Sequence, residues 1–316
     1  MSKAWPPSPV PMPPEEIVLA AKERRLVIFV GAGISNLMGC PSWPELAKRA
    51  LNQLADSNRI TYGDVDQLLH LDPKKQLSIA ELIAKSDGAE LDFKPLIEPE
   101  YQSSSKIYAL LNQFRCPYVT TNYDDYLDAR LNIAPSKIRT NGDDSLGAIR
   151  TPLICRPEQF KTTALDEDNC VIHLHGSVTD PSSLVFTTHQ YLEHYSDERV
   201  ISFLTDLFQH YVVLFVGYGL EETEILEYVF RRGISTHSSE RSIFYLHGFF
   251  DHQQKTFDHL YNFYEQSFSV YIIHFILDHL EYRQLEKIVE DWTSRIEIGD
   301  RLLADELAIM LKAADE

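Results

Sequence analysis

One short run of this sequence could bind the phosphates of a nucleotide. The run 31–35 reads Gly-Ala-Gly-Ile-Ser and directly follows the apolar segment 26–30. A Gly-x-Gly turn between a strand and a helix lets backbone amides approach a pyrophosphate beside the positive end of the helix. Asn36 stands where the full dinucleotide fingerprint has its third glycine, which disfavours an ordinary dehydrogenase. The alternative is a purely structural tight turn.

A second run could act on a sugar or an amide. The run 120–124 reads Thr-Thr-Asn-Tyr-Asp and follows the strand-like residues 118–119. The amide of Asn122 could orient a water molecule or a ribose hydroxyl, and Asp124 could accept a hydrogen bond from a carboxamide. The alternative is that Asn122 only caps the following helix, a position that asparagine favours.

A third run supplies a histidine. Residues 171–176 read Val-Ile-His-Leu-His-Gly, so His175 would emerge at the carboxyl end of a strand, where it could act as a general base near neutral pH. The period of two in a strand places His173 and His175 on one face, which makes a metal pair the rival interpretation. No third ligand is obvious nearby, and a second His-Gly at 247–248 shows that the dipeptide alone is unspecific.

A later glycine pair has the same arrangement as the first, between a predicted strand and a predicted helix. The run 216–219 reads Val-Gly-Tyr-Gly and stands between a strong strand signal and a helix that opens with two glutamates. This turn could receive the adenosine half of a dinucleotide. The alternative is a turn that needs glycine for close packing of the helix on the strand.

The elements that must position these runs follow an alternating order. Strands are predicted at 26–30, 118–121, 152–155, 171–175, 212–216, 242–246 and 269–275. Helices separate most of them, with examples at 220–231, 256–266 and 280–296. This order predicts an α/β fold with a parallel, doubly wound sheet, in which ligands bind at the carboxyl ends of the strands.

The chain divides into three predicted segments, the second of which contains an insertion. Residues 1–14 form an extended, proline-rich tail, and residues 15–298 form one Rossmann-like domain that holds all the runs described above. Within that domain, 44–112 is predicted to be a helical insertion that caps the sheet. Its first helix follows a predicted capping box of Ser42 and Glu45. Residues 299–316 are predicted to form an amphipathic C-terminal helix.

Composition narrows the class of partner and the compartment. The 316 residues carry a formal net charge of −18, which repels nucleic acid. The four cysteines form no Cys-x-x-Cys pair, so we expect reduced thiols and neither a zinc ribbon nor a disulfide scaffold. The sequence shows no signal peptide, and no apolar run approaches the roughly 20 residues that cross a bilayer. These features predict a cytoplasmic protein with no nucleic-acid or membrane partner.

In combination the runs resemble the sirtuin superfamily, in that family's order, over residues 24–293. The closest resemblance is to the bacterial sirtuin-like branch found in anti-phage defence. Further motifs of that branch are Gly-x-Pro-Ser-Trp-x-Glu-Leu at 39–46, Val-Phe-Thr-Thr with Tyr191 at 185–191, and Phe-Val-Gly-Tyr-Gly at 215–219. The combination of motifs is much more specific than any one of them.

The resemblance implies roles for ten residues toward NAD. The phosphates and the nearby ribose would be held by Gly31, Ala32, Gly33 and Ser35. The adenosine side would lie against Gly217, Tyr218 and Gly219. Asn122 would lie beside the nicotinamide ribose and His175 would act as a base toward a ribose hydroxyl, which makes these two the catalytic pair. Asp124 would contact the carboxamide.

Two departures from the family pattern bear on the activity. Deacylating sirtuins carry two Cys-x-x-Cys pairs that hold zinc after the His-Gly, and this sequence has none, so no zinc is expected. Those sirtuins also continue the first loop with Asp-Phe-Arg, where this chain has Ser-Trp-Pro at 42–44. Both changes argue against deacylation of acyl-lysine and leave the NAD site intact.

The sequence and the resemblance together predict an NAD+ glycohydrolase that releases nicotinamide and ADP-ribose, as the NAD-depleting effector of a defence system. NAD would be the substrate. An NAD-dependent protein deacylase and a non-catalytic subunit that binds NAD or ADP-ribose are the alternatives. Because unregulated loss of NAD would kill the host, we expect control by packing in a homo-oligomer or by a partner, and the resemblance implies that this partner is a separate sensor or ATPase protein.

Overall fold

A six-stranded parallel sheet forms the centre of the molecule. The computed structural model describes residues 5–101, 103–131, 153–219, 225, 227–228, 241–277 and 279–299. The strands are β1 (Leu26–Val30), β2 (Tyr118–Thr120), β3 (Val171–His173), β4 (Val212–Val216), β5 (Ile243–Phe249) and β6 (Tyr271–Ile276). Their spatial order is β3-β2-β1-β4-β5-β6, and every neighbouring pair is parallel. The predicted doubly wound α/β fold is confirmed.

Helices surround the sheet and fill the connections between its strands. In the first half of the chain they are α1 (Glu15–Lys22), α2 (Ala32–Leu37), α3 (Trp43–Asp56), α4 (Tyr62–Leu68), α5 (Pro73–Ser86), α6 (Phe93–Ile97), α7 (Ile107–Leu111) and α8 (Tyr126–Leu131). The second half has α9 (Thr188–Ser196), α10 (Glu198–His210), α11 (Gln254–Phe268) and α12 (Gln284–Thr293). Helices α3 to α7 fall in the predicted insertion, except that α3 begins one residue earlier, at Trp43. The limits of the insertion as a unit stay a prediction.

Burial on both faces explains why the central strands are continuous apolar runs. All five residues of β1 and all five of β4 are buried. Side chains of the two faces belong to two separate apolar clusters, for example Val27 and Phe29 on one face and Ile28 on the other. A third cluster lies among α3, α5 and α6. The chain leaves β1 toward β2 on one side and resumes at β4 on the other, so a crevice forms at their carboxyl ends.

Several predicted boundaries were wrong. The predicted strand 152–155 is a single bridge of Ile154 to Ile172 among its described residues. Strand β3 ends at His173, because the chain turns there and the Gly176 amide donates to the His173 carbonyl at 3.2 Å. The predicted helix 220–231 lies outside the described residues except for 225, 227 and 228, which are helical. The predicted C-terminal helix also lies outside them, apart from Gly299.

The predicted capping box at the start of α3 is also wrong. Ser42 is the N-cap, as predicted, but its side chain makes no capping hydrogen bond. Glu45 lies instead near Arg49, one turn further along the helix, with a nitrogen–oxygen distance of 3.8 Å. Complete capping boxes start α4, from Thr61, and α9, from Thr187.

Residues 5–14 lie against the body of the protein. The indole nitrogen of Trp292 donates to the Pro11 carbonyl at 2.7 Å, and the Gln284 amide donates to the Pro9 carbonyl at 2.8 Å.

All four cysteines are buried free thiols. No helix among the described residues is long and apolar enough to span a bilayer.

Candidate functional site

The predicted motifs follow four neighbouring strands of the sheet. The glycine run follows β1, the asparagine run follows β2, His175 follows β3 and the later glycine pair follows β4. Because these strands are parallel and adjacent, all four loops lie along the same edge of the sheet. This edge includes the crevice between β1 and β4, where the direction of winding reverses.

The two glycine loops interlock through their backbones. The Gly31 amide donates to the Val216 carbonyl at 3.0 Å, and the Gly33 amide donates to the Gly217 carbonyl at 2.7 Å. A Cβ atom at Gly31 would lie 2.5 Å from the Cα atom of Tyr218, and one at Gly33 would lie 2.8 Å from the Gly217 oxygen. Close packing is therefore one reason for these glycines. Contact of Gly217, Tyr218 and the exposed Gly219 with a nucleotide stays a prediction.

The asparagine run is tied directly to the first glycine loop. The side-chain amide of Asn122 donates to the Gly31 carbonyl at 3.0 Å. Its backbone amide donates to the Thr120 hydroxyl, which in turn donates to the Val30 carbonyl at 2.9 Å. Asn122 is only 7% exposed. These bonds fix the amide at the carboxyl ends of β1 and β2.

Asn122 is not the helix cap that the alternative interpretation required. Helix α8 begins at Tyr126, and the amide of that residue donates to Asp124 at 3.2 Å. Asp124 therefore receives the amide at the start of the helix, while the side chain of Asn122 faces the glycine loop. This separation leaves Asn122 without a structural task in α8.

Asp124 is held in a buried network. Ser35 donates to one carboxylate oxygen at 2.5 Å, and the Tyr108 hydroxyl donates to the other at 3.2 Å. The pKa of Asp124 is raised because burial disfavours the carboxylate, although the hydrogen bond from Ser35 acts in the opposite direction. Sequence reasoning missed Tyr108, since its place in the short apolar helix α7 indicates only burial.

A small pocket brings four of the predicted residues together. Its wall includes Ala32, Ser35, Asn122 and Asp124, together with the ring of Trp43. Its volume is about 40 Å³. A bound water takes about 30 Å³, whereas sites for larger ligands run from about 300 to 1,000 Å³. The pocket as described is therefore large enough for only a small part of a dinucleotide.

A much larger cavity, of about 790 Å³, lies elsewhere in the described part of the chain. Arg24, Arg115 and Asp168 line it, and they precede β1, β2 and β3. It therefore opens at the amino ends of the strands, away from the predicted motifs. Arg24 already donates to the Gly299 carbonyl and pairs with Asp168, so its charge is used in joining chain segments. Size alone does not make this cavity the candidate site.

His175 does not line the small pocket. The residue is fully buried beneath α9, where its Nε2 lies 2.7 Å from the Tyr195 hydroxyl and its Nδ1 lies 3.2 Å from the Tyr191 hydroxyl. Burial lowers its pKa well below the usual value, and the charges of His194 and Lys74 lower it further. His175 is thus kept neutral, as a general base must be.

His173 has hydrogen-bond partners that differ from those of His175, and strand β3 ends at His173, so the period of two does not extend to His175. The Nε2 of His173 lies 2.6 Å from Asp128, and its Nδ1 lies 3.3 Å from the Asn122 carbonyl. Burial lowers the pKa of His173, but Asp128, the Asn122 carbonyl and Asp124 together raise it, and the net shift is upward. Within the described ranges, no group of three or more His, Cys, Asp or Glu residues could hold a metal.

The buried histidines predict a loss of stability in acid. Burial lowers the pKa of His194 to about 4, whereas an unfolded histidine titrates near 6.5. Between these values the unfolded chain binds more protons, so each such histidine lowers the free energy of unfolding by about 1.4 kcal/mol per pH unit as the pH falls. We expect His194→Leu to show a smaller fall in melting temperature between pH 7 and pH 5 than the wild type.

The control for this experiment is His189→Leu on the same helix, because the side chain of His189 is 79% exposed. It should follow the wild-type curve. The raised pKa values of His173 and Asp124 act in the opposite direction, since their protonation favours the folded state, but both variants retain these groups. Parallel curves for His194→Leu and the wild type would contradict the assignment.

The fold and these loops define a parallel α/β protein whose candidate site lies where the winding of its sheet reverses. A family model described as the SIR2-like domain matches residues 117–263, a range that includes Asn122, Asp124 and His175. Defense-associated sirtuin 2 of Bacillus subtilis is 23% identical over 222 residues, which are 67% of this chain and 19% of the relative. The chain therefore spans about a fifth of that relative's length. Both matches are sirtuin-like, the name of the relative refers to defence, and a SIR2-like domain implies involvement of NAD.

Proposed function

We propose that this chain is an NAD+ glycohydrolase that acts in defence against phage. The observation that carries the proposal is the bond from the Asn122 amide to the Gly31 carbonyl, in a pocket that also holds Ser35 and Asp124. That bond puts an amide that can orient water beside the loop that would hold the phosphates of NAD. The similarity to a defence-associated sirtuin supports both the substrate and the setting.

The proposed reaction replaces a carbon–nitrogen bond with a carbon–oxygen bond. The bond between the nicotinamide nitrogen and the anomeric carbon breaks, and its electron pair neutralises the positively charged ring. Water oriented by Asn122 adds to the resulting ribosyl cation and loses one proton. His175 serves as the base toward a ribose hydroxyl. The protein contributes mainly position, exclusion of water and stabilisation of developing charge, and the reaction needs no metal.

A second candidate is a non-catalytic subunit that binds NAD or ADP-ribose. The observation that favours it is the burial of His175 away from the pocket that holds Asn122. The glycohydrolase proposal accounts for the same observation as a closed conformation that opens on activation. Classical deacylation is disfavoured, because the sequence lacks the paired cysteines that hold zinc in those enzymes.

Control of the activity belongs to the same proposal. We propose a homo-oligomer in the cytoplasm whose activity is released by a separate sensor or ATPase protein. The small volume of the pocket, about 40 Å³, supports this control, since NAD needs a larger site than that. The net charge of −18 argues against nucleic acid as the direct trigger.

The proposal is tested by incubating the purified protein with NAD, with and without an acetylated peptide, alone and in a lysate that contains its partner. A glycohydrolase forms nicotinamide without the peptide. A deacylase forms nicotinamide only with the peptide, and a binding subunit retains NAD without forming product. Either of the last two results would overturn the proposed reaction.

A further inference from the structure

Helix α9 presents three polar aromatic side chains to His175. Tyr191, His194 and Tyr195 lie three and four positions apart, a spacing that puts them on one face of a helix. All three rings lie within about 6 Å of the His175 ring, between centroids. The capping box that starts from Thr187 fixes the first turn of this helix. The placement of these rings is therefore set by local sequence.

The two tyrosine hydroxyls face the two nitrogens of the imidazole. The Tyr195 hydroxyl lies 2.7 Å from Nε2, and the Tyr191 hydroxyl lies 3.2 Å from Nδ1. A neutral imidazole has one N–H donor and one acceptor nitrogen, whereas a hydroxyl can donate and accept. Each nitrogen thus has a suitable partner, and the shorter contact, to Tyr195, is the stronger one.

The two tyrosines differ in their relation to the pocket. The Tyr191 ring lies 6.3 Å from the ring of Trp43, which lines the pocket beside Asn122. The Lys74 ammonium lies 3.8 Å from the centre of the Tyr191 ring. Tyr191 therefore connects the pocket wall to His175. The backbone carbonyl of Tyr195, in contrast, accepts a hydrogen bond from the Tyr228 hydroxyl at 3.5 Å.

We propose that Tyr195 is a positioning residue that orients His175, and that the Tyr191 hydroxyl occupies the place on Nδ1 where a ribose hydroxyl of the substrate binds. This inference rests on the function proposed above. Tyr191 moves aside when the pocket opens, and the bond to Tyr195 keeps the imidazole in place. The weaker of the two contacts is the one exchanged.

The proposed proton transfer balances on these atoms. Nε2 carries the hydrogen and donates it to the Tyr195 oxygen, which leaves the lone pair on Nδ1. The O–H bond of the ribose hydroxyl breaks and an N–H bond forms at Nδ1, giving an imidazolium whose second N–H stays bonded to Tyr195. The proton returns to the sugar oxygen after water has added.

The groups around the imidazole favour its neutral form before substrate binds. His194 and the two tyrosines face it from α9, and Lys74 lies nearby on α5. Burial, His194 and Lys74 all lower the pKa of His175. An acceptor oxygen on Nε2 acts in the opposite direction, because it stabilises the imidazolium.

The test compares Tyr195→Phe with Tyr191→Phe, which remove one hydroxyl each from the same helix. A hydrogen bond to a charged group corresponds to about 10- to 100-fold in rate, so Tyr195→Phe should lower kcat by that factor with little change in KM. The acid limb of the pH–rate profile of Tyr195→Phe should move to lower pH, because the imidazolium of His175 loses the acceptor oxygen that stabilises it. Tyr191→Phe should lower KM for NAD, and His189→Ala, on the exposed side of α9, serves as the control. Equal effects of the two substitutions would overturn the proposal.

A second measurement separates this proposal from the proposed function. Nitrogen-15 NMR of labelled histidine, assigned with His175→Gln, reports which ring nitrogen carries the hydrogen. We expect Nε2–H in the wild type and a changed Nε2 signal in Tyr195→Phe. If the wild type consumes no NAD, the glycohydrolase fails, and the NMR alone decides: an Nδ1–H tautomer, or a signal unaffected by Tyr195→Phe, overturns the positioning role.

Discussion

Replacing Asn122 or His175 with alanine is expected to abolish the loss of NAD. A positioned base contributes about 10²- to 10⁴-fold to a rate and a positioned hydrogen-bonding amide about 10²- to 10³-fold, so each substitution should cost at least about 10²-fold. Asn122→Ala removes the amide that would orient water, together with its bond to the Gly31 carbonyl. His175→Ala removes the proposed base. The measurement is the initial rate of nicotinamide release under activating conditions.

Two matched controls separate chemistry from folding. Asn112→Ala makes the same change at an amide just after α7, and His189→Ala makes it at an exposed histidine of α9. Both should retain wild-type rates. Melting curves should show that Asn122→Ala and His175→Ala remain folded. Wild-type turnover in either folded site variant would contradict the catalytic assignment.

Gly217→Ala is expected to destabilise the protein strongly, because it combines backbone strain with a steric clash. Its backbone has a φ of +62°, and an added Cβ would lie 2.6 Å from a side-chain carbon of Ile34 and 2.8 Å from the Ile34 amide nitrogen. Strain in the left-handed region and overpacking each cost about 1–3 kcal/mol. The free energy of unfolding, measured by denaturant titration, should therefore fall by about 2–6 kcal/mol.

Three other glycines separate the two contributions. Gly88 has a φ of +68°, and a Cβ added there would have no other atom within 4 Å, so Gly88→Ala measures the backbone strain alone. Gly33 lacks a positive φ, but a Cβ added there would lie 2.8 Å from the Gly217 oxygen. Gly33→Ala therefore measures the steric clash alone. Gly63 has neither problem and lies in α4, where alanine should be neutral or stabilising. Equal unfolding free energies for Gly217→Ala and Gly88→Ala would show that the interlocked loops tolerate a side chain.

The sheet could be predicted from the sequence because its central strands are buried on both faces. Such strands are continuous apolar runs, and β1 and β4 have the predicted limits of 26–30 and 212–216. The loops after them were located for the same reason. The parallel order of the strands was then enough to place the predicted site at one edge of the sheet.

The interior of the site could not be predicted in the same way. The contacts of Tyr108 with Ser35 and Asp124 join three distant segments, and no local pattern specifies them. The separation of His173 from His175 depends on where β3 ends, and a turn held by Gly176 decides that point. The small size of the pocket follows from the packing of α3 against the loop after β2.

The most direct test of the central claim is mass spectrometry of the products formed from NAD in ¹⁸O-labelled water. Our account predicts equal amounts of nicotinamide and ADP-ribose, with one ¹⁸O atom incorporated into each ADP-ribose, and no product from His175→Ala. Because water adds to the ribosyl carbon, the label enters at the bond that was cleaved. Bound but unchanged NAD, or nicotinamide release without incorporation of the label, would contradict hydrolysis at this site.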